Sequence, residues 1–156
     1  MYLTLKLLHV VAVVLFLGNI ATGLFWKAHA DRTGDPRLIA HTLEGVIRSD
    51  RLFTLPGVAL IVLFGFAAAF AGGLPVLRTG WIFWSIVLFT VSGAAFMARV
   101  APLQRQMLAV ARAAHGAEAF DWARYRDLSR RWELWGAIAL VTPVAAMALM
   151  VLKPAW

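Results

Sequence analysis

Four uncharged stretches, each close to twenty residues long, constrain the fold of this chain more than any other feature. They are residues 7–26, 52–77, 79–98 and 134–152, and none contains Asp, Glu, Lys or Arg. About 20 helical residues cross the hydrocarbon core of a bilayer, and in lipid only a helix or a closed barrel satisfies its own backbone. Because barrel-type alternation is absent, the sequence predicts an all-α, four-transmembrane-helix bundle. Its spans are predicted near 4–26, 52–71, 81–100 and 133–152.

The composition agrees with a membrane protein and argues against a soluble enzyme. Apolar residues make up 62% of the chain and charged residues only 15%, too few to cover a water-facing surface. The chain has no cysteine, which excludes disulfides, thiolate metal sites and a cysteine nucleophile. We treat residues 1–156 as a single integral membrane domain. The run followed by Ala28-His29-Ala30 is also similar to a signal peptide, but Trp26-Lys27 interrupts it, so we expect a retained first span.

The basic residues predict the orientation, because Lys and Arg concentrate in cytoplasmic loops. Most of the 15 basic residues lie in two connections, 26–51 and 99–133, whereas Lys6, Arg78 and Lys153 lie on the other side. We therefore expect both long connections inside the cell and both termini outside. The net charge of +7 reflects this topology and not nucleic-acid binding, since the same connections carry all eight carboxylates.

The long connections carry helix signals of their own. Asp35 before Pro36 predicts a helix start, and Asp121 predicts another that runs into the fourth span. The third span should continue beyond Arg99 until His115-Gly116, which makes the last two spans a protruding hairpin. Residues 72–75 (Gly-Gly-Leu-Pro) predict a turn that makes spans two and three antiparallel neighbours.

Several interfacial side chains have simple expected roles. Asp50 should cap the second span or pair with Arg48 or Arg51, and Arg99 could pair with Glu133. The tryptophans should mark the membrane surfaces as an aromatic belt. The belt residues are Trp26, Trp81, Trp132, Trp135 and Trp156.

Polar groups inside the first span need a reason, because they are costly in lipid. Lys6 and His9 share a face near the outer surface. Gly18 and Thr22, with Asn19 and Gly23 beside them, favour close helix packing.

His9 is the only histidine inside a span and is the candidate metal and cofactor ligand. It could bind haem or copper, relay a proton, or form an interhelical hydrogen bond. Met147 and Met150 of the fourth span should lie at the same depth and could complete a haem or Cu(I) site. Lys6 could snorkel to the headgroups or pair with a haem propionate. Plain packing remains open for both methionines.

The stretches Leu5-Lys6-Leu7-Leu8-His9-Val10 and Ser49 to Gly57 resemble a bacterial integral membrane family filed as domain of unknown function 2269. That resemblance implies a multi-pass protein of the bacterial inner (cytoplasmic) membrane. The opening is also similar to HemJ-type protoporphyrinogen oxidases and CopD-type copper-resistance domains. In the HemJ-type family the corresponding first-span histidine is associated with haem b. That family expects a functional lysine in its third span, and residues 81–100 contain none, which argues against HemJ-type catalysis.

Three functions therefore remain open, and whether the protein is an enzyme is undecided. It could bind haem b through His9, Lys6, Met147 and Met150, or a second His9 across a homodimer, and act in electron transfer or haem handling. It could be a cofactor-free structural or assembly subunit of a larger membrane complex. It could also be a small copper or solute transporter, although no carboxylate lies mid-span to drive ion coupling.

Overall fold

The computed structural model describes residues 1–113 and 120–154, and the regular structure in those ranges is entirely helical. The elements are α1 (Tyr2–Thr33), α2 (Pro36–Ser49), a π-helical segment (Asp50–Thr54), α3 (Leu55–Ala71), α4 (Gly80–Ala95), a second π-helical segment (Phe96–Val100), α5 (Ala101–Ala113) and α6 (Trp122–Leu152). Four continuous stretches in the described part are long and apolar enough to cross a membrane, namely Tyr2–Thr33, Pro36–Ala71, Gly80–Ala113 and Trp122–Leu152. The predicted all-α, four-span bundle is confirmed.

Each stretch is longer than the span predicted for it. The 32 residues of α1 and the 31 of α6 extend roughly 45 Å at about 1.5 Å per residue, against a hydrocarbon core of about 30 Å. The excess lies at the end of the bundle formed by α2, α5, the last turns of α1 and the first turns of α6. We call this the arginine-rich end, and the opposite end, which holds residues 72–79, the turn end.

The helices pack as two antiparallel pairs, α1 with α3 and α4 with α6. At the turn end the Tyr2 ring lies against Gly72, and Lys153 Nζ lies 5.4 Å from the centre of the Trp81 ring. The turn uses Gly73 at φ 64°, a backbone conformation that favours glycine. The expectation that the second and third spans are neighbours is wrong, because α3 packs on α1 while α4 packs on α6. The connection of residues 72–79 is long enough to separate them.

The helix ends follow the predicted capping chemistry. Asp35 accepts a hydrogen bond from the Arg37 N–H at 2.8 Å, with Pro36 in the first helical position. Asp121 accepts one from the Arg124 N–H at 2.9 Å. Gly34 ends α1 in the left-handed region at φ 65°. The predicted stop at His115-Gly116, like the belt residue Trp156, falls outside the described residues.

Both π-helical segments end two residues before a proline, at Pro56 and Pro102. Proline has no N–H and leaves the carbonyl four residues earlier without its helical donor. Ahead of each proline the backbone hydrogen bonds span five residues instead of four. The Leu55 N–H donates to the Asp50 carbonyl and the Ala101 N–H to the Phe96 carbonyl. These two junctions join each span to its extension, α2 or α5. They lie at a similar level, since Gln104, just after the second segment, donates to Asp50 of the first.

Two apolar clusters hold the molecule together. One lies between the spans around Ala12, Phe16 and Ile61, and Phe89 of α4 packs against it. The larger one fills the arginine-rich end, where α2, α5 and α6 meet. It includes Ile39, Leu43, Met107, Leu128 and Trp132. The extensions are therefore a packed layer continuous with the spans.

Candidate functional site

His9 lies on the face of α1 that packs against α3. Its Nδ1 is 2.9 Å from the backbone oxygen of Ile61. A carbonyl oxygen can only accept, so Nδ1 carries the proton and Nε2 of the neutral ring keeps its lone pair. A metal-ligating histidine commonly has this arrangement, with the second nitrogen tied to a carbonyl.

Gly65 makes the close approach of the His9 ring possible. A Cβ at this position would lie 3.0 Å from His9 Cε1 and 3.1 Å from Nδ1, closer than ordinary contact. Gly65 was not predicted from sequence. A glycine within an apolar helix was its only signal, and the sequence has several of these.

The other predicted ligands lie on different surfaces. Lys6 is exposed one turn before His9. On α6, Met147 is 41% exposed and Met150 is half-buried. Met147 follows Ala146, whose carbonyl accepts from Ser85 near the start of α4, so it lies toward the turn end, as His9 does. However, α6 packs mainly against α4 while His9 faces α3, and a methionine ligand to a His9-bound metal stays a prediction.

No preformed metal cage accompanies His9. Within residues 1–113 and 120–154, no three or more His, Cys, Asp and Glu side chains come together in a way that could hold a metal ion. A metal at His9 would therefore bring other ligands, as haem does with its four pyrrole nitrogens.

A second polar site, not predicted from sequence, lies at the first π-helical segment around Asp50. Asp50 is 9% exposed. Its Oδ1 accepts from the Thr54 hydroxyl at 2.8 Å and from Asn19 Nδ2 at 3.4 Å, and its Oδ2 accepts from Gln104 Nε2 at 2.9 Å. Asn19 also donates to Thr54 Oγ1 at 2.9 Å and accepts from the Ser49 hydroxyl.

This arrangement corrects the prediction for Asp50. It neither caps a helix with its side chain nor pairs with Arg48 or Arg51, and in the described part of the chain no Lys, Arg or His lies at ion-pair distance from it. Asp50 and Thr54 are four residues apart, and that spacing was the available signal. Gln104 and Asn19 come from other helices, so the sequence alone could not place them.

A cavity of about 430 Å³ opens beside this cluster. It lies among α1, α2, the two π-helical segments, α5 and α6, at the level where the spans give way to their extensions. Asn19, Asp50 and Gln104 line one part of it, and Trp132 and Phe96 belong to its apolar walls. Cavities of about 300–1,000 Å³ with apolar walls and a few converging polar groups are the common form of small-molecule sites.

Trp132 departs from the predicted aromatic belt. It is only 4% exposed, and its indole N–H is buried without a hydrogen-bond acceptor among the described residues. An unsatisfied buried donor costs about 1–3 kcal/mol. Other atoms of Trp132 line the cavity, whereas its indole nitrogen has almost no accessible surface.

Lys27, counted from sequence among the loop cations, is instead buried inside the arginine-rich end at 2% exposure. Its Nζ lies 2.7 Å from Asp31 Oδ2 and 2.9 Å from Glu133 Oε1, and it donates to the Ser129 hydroxyl. These contacts use all three ammonium protons. The Tyr125 hydroxyl completes the group by donating to Asp31 at 2.6 Å.

The pairing of Glu133 with Lys27 also corrects the expected ion pair between Glu133 and Arg99. Arg99 lies over the Trp135 ring instead, with its guanidinium carbon 5.5 Å from the ring centre. The Lys27 group ties α1 to α6 and leaves no free position on the lysine, so we interpret it as structural.

The family described as predicted integral membrane protein (DUF2269) matches residues 3–154, nearly the full length. No curated protein and no solved structure matches the chain. The resemblance to family 2269 inferred from the opening and Ser49–Gly57 stretches is confirmed, whereas similarity to HemJ-type and CopD-type proteins stays a prediction.

Proposed function

This chain belongs to the DUF2269 family of predicted integral membrane proteins, and we propose that it binds b-type haem in the bacterial inner membrane through His9. In this proposal it acts in electron transfer or haem handling. Bound haem would supply a one-electron couple, and the protein would set its potential through the axial ligand and burial.

The observation that carries the proposal is the hydrogen bond from His9 Nδ1 to the Ile61 carbonyl. It orients the ring and leaves Nε2 as the nitrogen that would bind the haem iron. A histidine that only needed to be satisfied inside a membrane would gain from the same bond. Among the described residues Nε2 has no hydrogen-bond partner, and a free nitrogen on a half-buried ring favours a ligand role.

The remaining contacts to haem would come from the residues predicted by sequence. Lys6, exposed one turn earlier on the same helix, would pair with a propionate. Met147, Met150 or His9 of a second copy would supply the sixth ligand, and a homodimer would place two such histidines on one haem.

The test is an absorption spectrum of the full-length protein, extracted in mild detergent from haem-replete cells. We expect a Soret band that disappears in His9→Ala. His29→Ala is the matched control, because His29 is an exposed histidine on the same helix, and this variant should keep the band. A colourless wild-type protein, or a band of equal strength in His9→Ala, contradicts the proposal.

The second candidate is a cofactor-free structural or assembly subunit of a larger membrane complex. Gly18 and Thr22 favour it. They lie on an exposed face of α1, and no described atom comes within 4 Å of a Cβ added at Gly18. Small residues on a lipid-facing surface permit close helix contact. Co-purification of a stoichiometric partner that Gly18→Leu releases would support this function; a homogeneous homo-oligomer would count against it.

A further inference from the structure

We propose that the cavity beside Asp50 binds a neutral, bilayer-soluble molecule through a hydroxyl group on that molecule. The side-chain amide of Gln104 would form the hydrogen bond to this hydroxyl, and the apolar walls of the cavity would hold the rest of the molecule. The site is separate from His9 and does not depend on haem.

The requirement for a hydroxyl follows from Gln104, which is only 3% exposed and lines the cavity. Its Nε2 bonds to Asp50 Oδ2, and its Oε1 has no partner among the described residues. Within those residues Trp132 Nε1 is the one side-chain atom that is both sealed and unpartnered, so Gln104 Oε1 keeps accessible surface. An amide oxygen accepts and an amide nitrogen donates. A hydroxyl can do both, so it meets whichever end of the amide faces the cavity.

The lining of the cavity argues for a neutral ligand. No Lys or Arg belongs to its described wall, so no permanent positive charge is there to pair with a phosphate or carboxylate headgroup. The carboxyl group in that wall is Asp50, and both of its oxygens already have hydrogen-bond partners. These partners satisfy the carboxyl group without a charged ligand.

The size and the walls of the cavity favour an organic molecule over water alone. Its volume of about 430 Å³ far exceeds the roughly 30 Å³ that one water molecule occupies in the liquid. Much of the wall is aliphatic or aromatic, including Val46, Phe96 and Val100. Water in the cavity would hydrate these side chains, whereas an apolar body would cover them, and the hydrophobic effect favours that exchange.

The position of the cavity indicates entry from the bilayer. With the start of α1 at one membrane surface, Asn19 lies roughly 26 Å along the helix and Trp26 roughly 36 Å, at about 1.5 Å per residue. They lie on either side of the far boundary of a hydrocarbon core of about 30 Å. Because a hydroxyl without a partner is costly in hydrocarbon, a bilayer-soluble alcohol holds its hydroxyl near this boundary. The exposed lining residues belong to α1 and α2 and form the mouth; they are Thr22, Trp26, His41 and Gly45.

The test is equilibrium dialysis of the full chain in lipid nanodiscs, with empty nanodiscs of the same lipid as the blank. The blank subtracts the probe that dissolves in the bilayer. The probes are para-butylphenol, with a hydroxyl on an aromatic ring, octanol, with a hydroxyl on an alkyl chain, and para-butylanisole, in which a methyl group replaces the phenol hydrogen. All are compared at equal concentration in the bilayer.

We expect saturable excess binding of at least one alcohol, near one molecule per chain. The anisole should bind about tenfold more weakly than that alcohol, because it cannot donate to Gln104 Oε1. Tighter binding of butylphenol would indicate an aromatic ligand such as a quinol, and tighter binding of octanol an aliphatic one such as an acylglycerol. Either result supports a hydroxyl site.

Gln104→Leu assigns the hydrogen bond, because it removes the amide and keeps a side chain of similar size. Binding of the alcohol should fall to that of the anisole, and binding of the anisole should stay unchanged, which shows that the cavity is intact. Gln106→Leu is the matched control. It makes the same change at an exposed position of α5 and should bind as the wild type does.

Gly45→Phe tests the place of binding and keeps the proposal testable if Gln104→Leu perturbs the fold. Gly45 lines the mouth, and no described atom lies within 4 Å of its added Cβ. The variant should unfold no more easily than the wild type and should bind the alcohol severalfold more weakly. Gly18→Phe, at an exposed glycine of α1 outside the lining, is its control and should bind normally.

Four results would each overturn the proposal. They are the absence of saturable excess binding for both alcohols, equal binding of the alcohols and the anisole, a wild-type preference for the alcohol in Gln104→Leu, and unchanged binding in Gly45→Phe.

Discussion

At the scale of single residues, His9 and Gly65 depend on each other. The imidazole lies so close to α3 that any side chain at residue 65 would meet it. In return, His9 Nδ1 donates a hydrogen bond to the Ile61 carbonyl of that same helix. The pair locks the contact between α1 and α3 and fixes which ring nitrogen stays free.

Gly65→Ala should therefore cost about 1–3 kcal/mol of stability, as overpacking generally does, and should displace the imidazole. The measurement is the thermal unfolding of the detergent-solubilised protein, together with the Soret band. Gly18→Ala is the control, because its added Cβ meets nothing described within 4 Å, and it should be neutral or stabilising. If His9→Ala fails to relieve the cost of Gly65→Ala in the double variant, the steric explanation is wrong.

At the scale of elements, a proline and a serine fit together where α4 packs against α6. Pro143 lies within α6 and cannot donate to the carbonyl four residues earlier, at Ala139. The Ser92 hydroxyl of α4 donates to that carbonyl at 2.6 Å. The interhelical bond thus replaces the missing bond of the helix, and α6 continues through the proline to Leu152.

Ser92→Ala should destabilise the protein by about 1 kcal/mol, within the range of interhelical hydrogen bonds in membranes. The cost should shrink in a Pro143→Ala background, because the restored N–H then satisfies Ala139 from within α6. Unfolding of the two single variants and the double variant measures this coupling. Thr90→Ala is the control, since Thr90 donates to a carbonyl of its own helix; a purely additive double variant would contradict the explanation.

The Lys27 group performs a comparable role between α1 and α6. A lysine buried to this extent is stable only because its three protons meet two carboxylates and a hydroxyl. Its contact with Trp132, whose ring centre is 5.1 Å from Nζ, places the lysine beside the cavity but directs its charge to the carboxylates. One basic residue counted toward the topology is thus part of the packing.

At the scale of the whole molecule, the bundle has two chemically different ends. The turn end is short and largely apolar, whereas the other carries α2, α5 and most of the arginines. An arginine-rich end is retained on the cytoplasmic side of a membrane. The four spans place both termini at the opposite end, and their outside location stays a prediction.

Cysteine labelling in intact cells can test this orientation, and the natural absence of cysteine removes background. Leu77→Cys, at an exposed position of the turn end, should react with a membrane-impermeant maleimide added outside. Arg105→Cys, exposed on α5, should react only after the membrane that holds the protein is permeabilised. The reverse pattern would invert the topology and place the Asp50 cavity near the outer surface.

The sequence alone determined the features that depend on neighbouring residues or on solvent. These are the four spans, the starts at Asp35 and Asp121, and the separation of arginines from apolar runs, because local chemistry and the cost of charge in lipid act over a few residues. The tertiary structure decided what depends on how helices rotate and pair. Asp50 meets Gln104 across 54 residues and Lys27 meets Glu133 across 106. No periodicity within one span specifies such a contact, so the cavity could be identified only from the packing of the four helices.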